Sequence, residues 1–170
     1  MEEDFYGIDK ERAHTRALEL IPEAFFWSGI DELAPFGSDE GFTALSEFRR
    51  WKRVFPDKPI LGCLQWTIES VGEMEFAEYN ESLLDRKRIQ AQLENSDFDE
   101  HQYIYTLDVS VIATGFGQLI DEGTIDPEIK PILRLAIDRQ KLWAGFASQW
   151  KFKEEYIQRL QVLSRVLKVA

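Results

Sequence analysis

Cysteine and histidine are scarce in this chain. Cys63 is the single cysteine, and His14 and His101 are the two histidines among 170 residues. One thiol excludes an internal disulfide framework and a multi-cysteine zinc site. So few imidazoles leave little material for a general base or a transition-metal centre. We therefore predict a protein without a cofactor and favour a non-enzymatic role, with Cys63 as inert apolar packing.

The sequence also lacks a long apolar run. The most apolar region, near residues 109–120, is interrupted by serine, threonine, glycine and glutamine. It falls short of the roughly 20 apolar residues that a membrane span requires. The first residues, Met-Glu-Glu-Asp, are acidic where a secretory signal begins with basic residues. We therefore expect no membrane association and a cytoplasmic location.

Basic residues are outnumbered by acidic ones. Twenty Lys and Arg against 31 Asp and Glu give a net charge of −11. This balance disfavours nucleic acid as a partner, because phosphate backbones are bound by positive charge. The charge is also uneven, at −12 over residues 1–100 and +1 over residues 101–170. Such a pattern is typical of a solvated, self-repelling surface, or of an acidic face that steers a basic protein partner.

Apolar and aromatic residues are plentiful. They make up 44% of the chain and include 12 Phe, 5 Trp and 5 Tyr, which excludes a disordered polymer. The length suits one domain over residues 1–170. Helical spacing dominates, even over residues 103–111, whose β-branched content favours a strand. We predict an all-α bundle of about seven helices, within residues 10–20, 23–33, 38–55, 59–72, 77–94, 97–122, 126–146 and 152–168.

The most irregular stretch, residues 31–41, is the first candidate for a functional surface. The acidic pairs Asp31-Glu32 and Asp39-Glu40 flank a Pro/Gly turn that carries Phe36. We predict that these five residues form a binding surface. Their four carboxylates also leave open a site for a hard cation, although the spacing does not match an EF-hand. The simpler alternative is a helix N-terminus that favours acidic side chains.

Asp108 is a second candidate, and it is predicted to be buried. It lies four residues after Ile104 and four before Ile112, on the apolar side of its helix. A buried carboxylate has to be paired or protonated. Arg134 or Arg139 of the following helix is the predicted partner across a helical hairpin.

The alternative for Asp108 is a tuned acid in a pocket. His14, Tyr103 and Arg139 are the polar residues that we consider as its neighbours in such a site, and we expect His14 and Arg139, like Asp108, to be buried. Two glycines in the sequence Gly-Phe-Gly at 115–117 lie on the same predicted helix and cost about 1 kcal/mol each relative to alanine. Either a neighbouring helix approaches closely there, or a ligand needs the space.

One combination of residues carries a resemblance. It comprises Trp27, Asp31-Glu32, residues 35–41 and the run Phe48-Arg49-Arg50-Trp51. In its acidic charge and high aromatic content the chain resembles small uncharacterised bacterial proteins, among them immunity-type proteins that neutralise toxins. The resemblance implies a non-enzymatic binder of a basic protein, which is our leading hypothesis. A small helical enzyme or ligand-binding bundle at Asp108, and a carboxylate metal site at residues 31–41, are the alternatives.

Overall fold

Seven α-helices account for most of residues 6–170, the part of the chain that the computed structural model describes. They are α1 (Thr15–Leu20), α2 (Asp39–Val54), α3 (Leu61–Gly72), α4 (Arg86–Leu93), α5 (Phe98–Glu122), α6 (Lys130–Phe146) and α7 (Lys153–Val169). Short 3₁₀ turns lie before α1 at Lys10–Arg12 and between the helices at Ala24–Trp27, Phe76–Glu78, Glu81–Leu84 and Pro127–Ile129. Residues 6–170 contain no strand, so the predicted all-α class is confirmed.

The ends of the long helices follow from capping residues. The Ser38 hydroxyl accepts a hydrogen bond from the Gly41 N–H at 3.1 Å and begins α2. The Asp97 carboxylate accepts from the Glu100 N–H at 3.1 Å and begins α5. Gly123 ends α5 in the left-handed conformation, with φ of 80°, which glycine adopts without steric cost. These three signals could be identified in the sequence.

Helix α5 is the centre of the fold. Every residue from 107 to 120 is buried, including the polar Asp108, Ser110, Thr114 and Gln118. Helices α2, α3, α4 and α6 contact it, and α7 packs on α6. The segment 103–111 therefore belongs to this helix and is not a strand.

The paired glycines of α5 allow its neighbours to approach closely. A Cβ atom at Gly115 would lie 2.3 Å from a methyl carbon of Leu133 on α6. A Cβ atom at Gly117 would lie 3.1 Å from Leu45 and 3.2 Å from Phe48, both on α2. Side chains of α2 and α6 thus occupy the space, and the alternative of a ligand at these glycines is wrong.

Three predicted helices are shorter than expected. Within 10–20, a 3₁₀ turn precedes α1, and within 23–33 only Ala24–Trp27 is helical. The predicted helix 77–94 consists of two 3₁₀ turns followed by α4. The side chains of Asn80 and Asp85 accept hydrogen bonds from the N–H groups of Ser82 and Lys87. Such local bonds begin new turns and interrupt a continuous helix.

No helix within residues 6–170 combines the length and the apolar composition needed to cross a bilayer.

Candidate functional site

Asp108 is completely buried and is held by four hydrogen bonds. Arg139 donates to it twice, from Nε and Nη2, each at 2.8 Å. The Tyr79 hydroxyl donates at 2.7 Å and the Gln140 amide at 3.1 Å. The Tyr156 hydroxyl in turn donates to Gln140 Oε1 at 2.6 Å. We call these five residues the Asp108 cluster.

The Asp108 cluster is buried in the core. Asp108 is 0% and Arg139 3% exposed, and each acceptor oxygen of the carboxylate faces a donor. Burial and the charge of Asp108 raise the pKa of Tyr79 well above its usual value, so its hydroxyl keeps the proton that it donates. Asp108 lines none of the cavities described below. The geometry favours an internal ion pair that fixes the register of α5 and α6.

His14 lies outside the Asp108 cluster, and the expectation that it is buried is wrong. It is exposed at the N-terminus of α1, where its Nδ1 accepts a hydrogen bond from the Arg16 N–H at 3.1 Å. An imidazole with this role serves as a helix cap. The sequence gives no direct sign of it, because histidine is an infrequent capping residue.

The 31–41 segment folds over a buried aromatic ring. Phe36 is 1% exposed and packs edge-on against Phe26 at 5.6 Å, so its prediction as part of a binding surface is wrong. Glu32 and Asp39 are exposed and Glu40 is half-buried. The carboxylates of the segment thus remain at the surface, while Phe36 anchors the segment to the core.

Asp31 is engaged by a basic side chain. Its Oδ2 accepts from Arg159 Nη1 at 2.5 Å, and the same guanidinium donates to Glu155 at 2.9 Å. Among residues 6–170 no three His, Cys, Asp or Glu side chains lie together in an arrangement that could hold a metal ion. The geometry therefore gives the carboxylate metal hypothesis no support.

A cleft of about 670 Å³ opens beside this segment, a volume common among ligand sites. We call it the aromatic cleft. Four aromatic residues line it, Tyr105, Trp143, Phe146 and Trp150, together with the titratable residues Glu32, Glu94 and His101. Leu33, Leu93, Gln102, Ala147, Ser148 and Gln149 complete the lining. None of the described residues that line it is Lys or Arg.

The rings of the aromatic cleft support one another. Tyr105 stacks on Trp143, with centroids 5.5 Å apart and planes inclined by 29°. Trp150 meets Trp143 edge-on at 5.7 Å. Tyr156 lies behind both, 6.4 Å from Trp143 and 5.4 Å from Trp150. Because Tyr156 also belongs to the Asp108 cluster, it connects this cluster with the rings of the cleft.

Nearby carboxylates contribute a negative potential at one ring of the aromatic cleft. Burial, followed by the charge of Glu40, raises the pKa of Tyr105 to about 12, and Glu32 and Asp39 act in the same direction. Three carboxylates of the predicted surface therefore converge on one ring of the cleft. Carboxylates near a ring favour positive charge at that position.

Helix ends add to this field. Helix α4 ends at Leu93 and helix α6 at Phe146, and both residues line the cleft. The C-terminal end of a helix carries partial negative charge. Helix α5 begins nearby with the opposite polarity, but Asp97, Asp99 and Glu100 occupy its cap and first turn. A cation is therefore the ligand charge that this end of the bundle favours.

Two polar groups of the cleft have spare hydrogen-bonding capacity. His101 Nδ1 lies 2.7 Å from the Leu93 carbonyl oxygen. Since a carbonyl only accepts, Nδ1 carries the hydrogen, and a neutral imidazole of this tautomer has its acceptor at Nε2. Trp143 is only 6% exposed, yet its Nε1–H has no hydrogen-bond partner within residues 6–170. Buried donors rarely remain unpaired.

Sequence reasoning missed most of the aromatic cleft. Glu32 was predicted as surface, but Glu94, His101, Tyr105 and Trp150 were not assigned to a site. The available signal was the concentration of aromatic rings in residues 143–152, which extends past the end of a helical stripe. Helical spacing alone does not distinguish such rings from core residues.

The fold and the cleft together define an all-α protein with an acidic, aromatic-lined depression at one end. No family model matches the chain, and no solved structure matches it.

The chain is similar to the uncharacterised protein YfeS of Escherichia coli strain K12. The two are 28% identical over 145 residues, which cover 85% of this chain and 56% of YfeS. The chain thus spans little more than half the length of that relative. The comparison supports the resemblance to uncharacterised bacterial proteins and leaves the function of the chain unknown.

Proposed function

We propose that the chain is a non-enzymatic binding protein whose aromatic cleft takes a basic segment of a partner protein. One observation carries the proposal. The described lining of the cleft combines four aromatic rings with two glutamates, and it contains neither Lys nor Arg. Aromatic faces and carboxylates both attract cations, and rigid rings supply much of the binding energy at protein interfaces.

The surrounding charge supports the same kind of partner. Residues 1–100 carry a net charge of −12, and Glu32, Asp39 and Glu40 lie close enough to Tyr105 to raise its pKa. Long-range attraction of this kind accelerates encounter with a basic protein. A basic toxin is the kind of partner that an immunity-type protein neutralises, and we propose this role in the cytoplasm, where a free thiol such as Cys63 is stable.

The non-enzymatic part of the proposal is supported by the residues that could have served in catalysis. Burial raises the pKa of the Cys63 thiol to about 12, so it holds little reactive thiolate. Asp108 is paired with Arg139, and His14 caps a helix. These groups have structural roles.

The experiment is a calorimetric titration with a defined probe. The probe is a short peptide of lysine, glycine and serine with one central arginine, and glutamate replaces every basic residue in the control peptide. We expect binding of the basic peptide only, weakening as salt is raised. The double variant Glu32→Gln/Glu94→Gln is expected to lower the affinity by about three- to tenfold.

A matched variant separates local from net charge. Glu75→Gln/Glu128→Gln removes two exposed carboxylates that do not line the aromatic cleft. It should leave the affinity within about twofold of the parent. Equal losses in both double variants would show non-specific attraction to an acidic surface. Absence of binding by the basic peptide, or equal binding of the acidic one, would overturn the proposal.

A further inference from the structure

Two carboxylates give the aromatic cleft strong hydrogen-bond acceptors. Glu32 and Glu94 present carboxylates. His101 uses Nδ1–H on the Leu93 carbonyl, and the neutral form of its ring presents a lone pair at Nε2. A ligand group that donates several hydrogen bonds in different directions satisfies such a set. The guanidinium of arginine has five N–H donors in a plane and no acceptor.

The walls of the cleft also favour a planar cation. Tyr105 and Trp143 are nearly parallel, and Trp150 stands edge-on to Trp143. A flat, weakly hydrated guanidinium stacks on ring faces more readily than a compact, strongly hydrated ammonium. Arginine therefore gains more than lysine from these surroundings.

An arginine of the chain itself is already bound by a ring and carboxylates beside the cleft. Arg159 lies over the Phe25 ring at 4.9 Å and donates to Asp31 and Glu155. Asp31 and Glu155 line a depression of about 430 Å³ that shares Glu32 and Trp150 with the aromatic cleft. One aromatic ring and two carboxylates thus already surround a guanidinium at this edge of the molecule.

The unpaired indole of Trp143 indicates what the arginine belongs to. Arginine has no acceptor for the Trp143 Nε1–H, but the backbone carbonyls of a peptide do. Because Nε1 is buried in the unbound chain, such a contact requires the indole to become accessible when the peptide binds. An arginine within a peptide therefore matches both the carboxylate acceptors and the buried Trp143 donor.

We infer that the aromatic cleft binds an arginine side chain of the basic partner. This inference rests on the proposed function and specifies its central contact: the guanidinium lies between Glu32, Glu94 and His101 and stacks on the rings. The adjoining backbone of the partner accepts from Trp143.

The test compares three peptides that differ at one position. In the basic probe defined above, the central arginine is kept, replaced by lysine, or replaced by citrulline, which retains the shape without the charge. We expect the affinity to fall by about tenfold with citrulline and by about three- to tenfold with lysine. The arginine peptide should also shift the indole N–H resonance of Trp143, identified in nitrogen-15 spectra by its absence in Trp143→Phe.

Variants inside and outside the cleft show where the preference for arginine arises. Trp150→Ala should remove the preference for arginine over lysine, whereas Trp66→Ala, which removes an exposed tryptophan of α3 outside the cleft, should retain it. Equal affinities of all three peptides would overturn the arginine contact and leave the proposed function intact. Loss of binding by every basic peptide would instead overturn the proposed function. A preference for arginine that survives Trp150→Ala, without a shift at Trp143, would place the contact elsewhere.

Discussion

The Asp108 cluster and the aromatic cleft lie one helical turn apart on the same two helices. Tyr105 of the cleft precedes Asp108 by three residues on α5, and Trp143 follows Gln140 by three residues on α6. Yet the two regions differ in their hydrogen bonding. No buried side-chain polar atom of the cluster lacks a partner in residues 6–170, whereas the Trp143 N–H of the cleft does.

This difference distinguishes polar groups that stabilise the fold from polar groups that can bind a ligand. A buried charge whose bonds are all made within the chain has nothing left to offer a ligand. A cleft with a buried, unpaired donor can gain by binding, because the Trp143 N–H already carries the cost of desolvation. The cluster supports the cleft through Tyr156, which holds Gln140 and packs behind Trp143 and Trp150. We therefore expect mutations to affect stability in the cluster and affinity in the cleft.

The largest expected effect is on stability. Arg139→Ala leaves the Asp108 carboxylate buried without its ion-pair partner, and we expect the free energy of unfolding to fall by about 3–5 kcal/mol. Urea unfolding followed by tryptophan fluorescence measures it. Arg12→Ala, which breaks the exposed pair with Asp9, should cost less than about 1 kcal/mol.

A second variant covers the case in which Arg139→Ala does not fold. Asp108→Leu/Arg139→Met removes both charges and fills similar volume, so it should be more stable than the single variant. If Arg139→Ala were as stable as the parent, Asp108 would be uncharged or solvated, and the contrast between cluster and cleft would disappear.

The next effect is a loss of stability in alkali. Burial, the largest cause in each case, raises the pKa of Tyr105 to about 12 and that of Tyr79 and Tyr156 well above the usual value. As the pH rises past about 10, the unfolded chain releases these protons and the folded chain retains them. Stability is therefore complete below about pH 10 and falls as the pH rises through the folded-state pKa values.

Tyrosinate absorbance recorded during unfolding can distinguish the two regions. Tyr105, in the cleft, should begin to ionise while the protein is folded. Tyr79 and Tyr156 should ionise only as the chain unfolds, in step with the loss of helical circular dichroism. Ionisation of all tyrosines before unfolding would contradict the closed packing of the Asp108 cluster.

A smaller effect follows from deleting one hydroxyl. Tyr156→Phe leaves Gln140 Oε1 unsatisfied in the core and should lower the free energy of unfolding by about 1–3 kcal/mol. Its ring still packs on Trp143 and Trp150, so the affinity for the basic peptide should stay within about twofold. Tyr105→Phe, in the cleft, should cost less stability, because that residue is half-buried. Equal costs would remove the distinction between the two regions.

Much of the fold could be predicted because it depends on local chemistry. Ser38, Asp97 and Gly123 mark helix ends through their own side chains or backbone freedom, and helical spacing identifies the buried face of α5. The division of residues 77–94 was missed because short bonds from Asn80 and Asp85 compete with a continuous helix. The spacing of apolar residues does not reveal such local hydrogen bonds.

The candidate site was less predictable because it depends on the tertiary structure. Asp108 was expected to be buried, since its own helix determines its face, but Arg139 could not be chosen over Arg134 without the geometry of α5 and α6. The cleft joins Glu32, Glu94 and residues 143–150, which lie far apart in sequence. Phe36 was placed at the surface because its neighbours are charged, whereas packing against Phe26 buries it.

The smallest expected effect on stability comes from the cleft carboxylates. Glu32 and Glu94 are exposed, and Glu32 is one of the charges that raise the pKa of Tyr105. The variant Glu32→Gln/Glu94→Gln should change the free energy of unfolding by no more than about 0.5 kcal/mol and lower the pKa of Tyr105, while it weakens peptide binding. Urea unfolding and tyrosinate titration measure the two quantities. A loss of stability as large as that of Tyr156→Phe would mean that these carboxylates hold the fold together, and the aromatic cleft would then be a structural region like the Asp108 cluster.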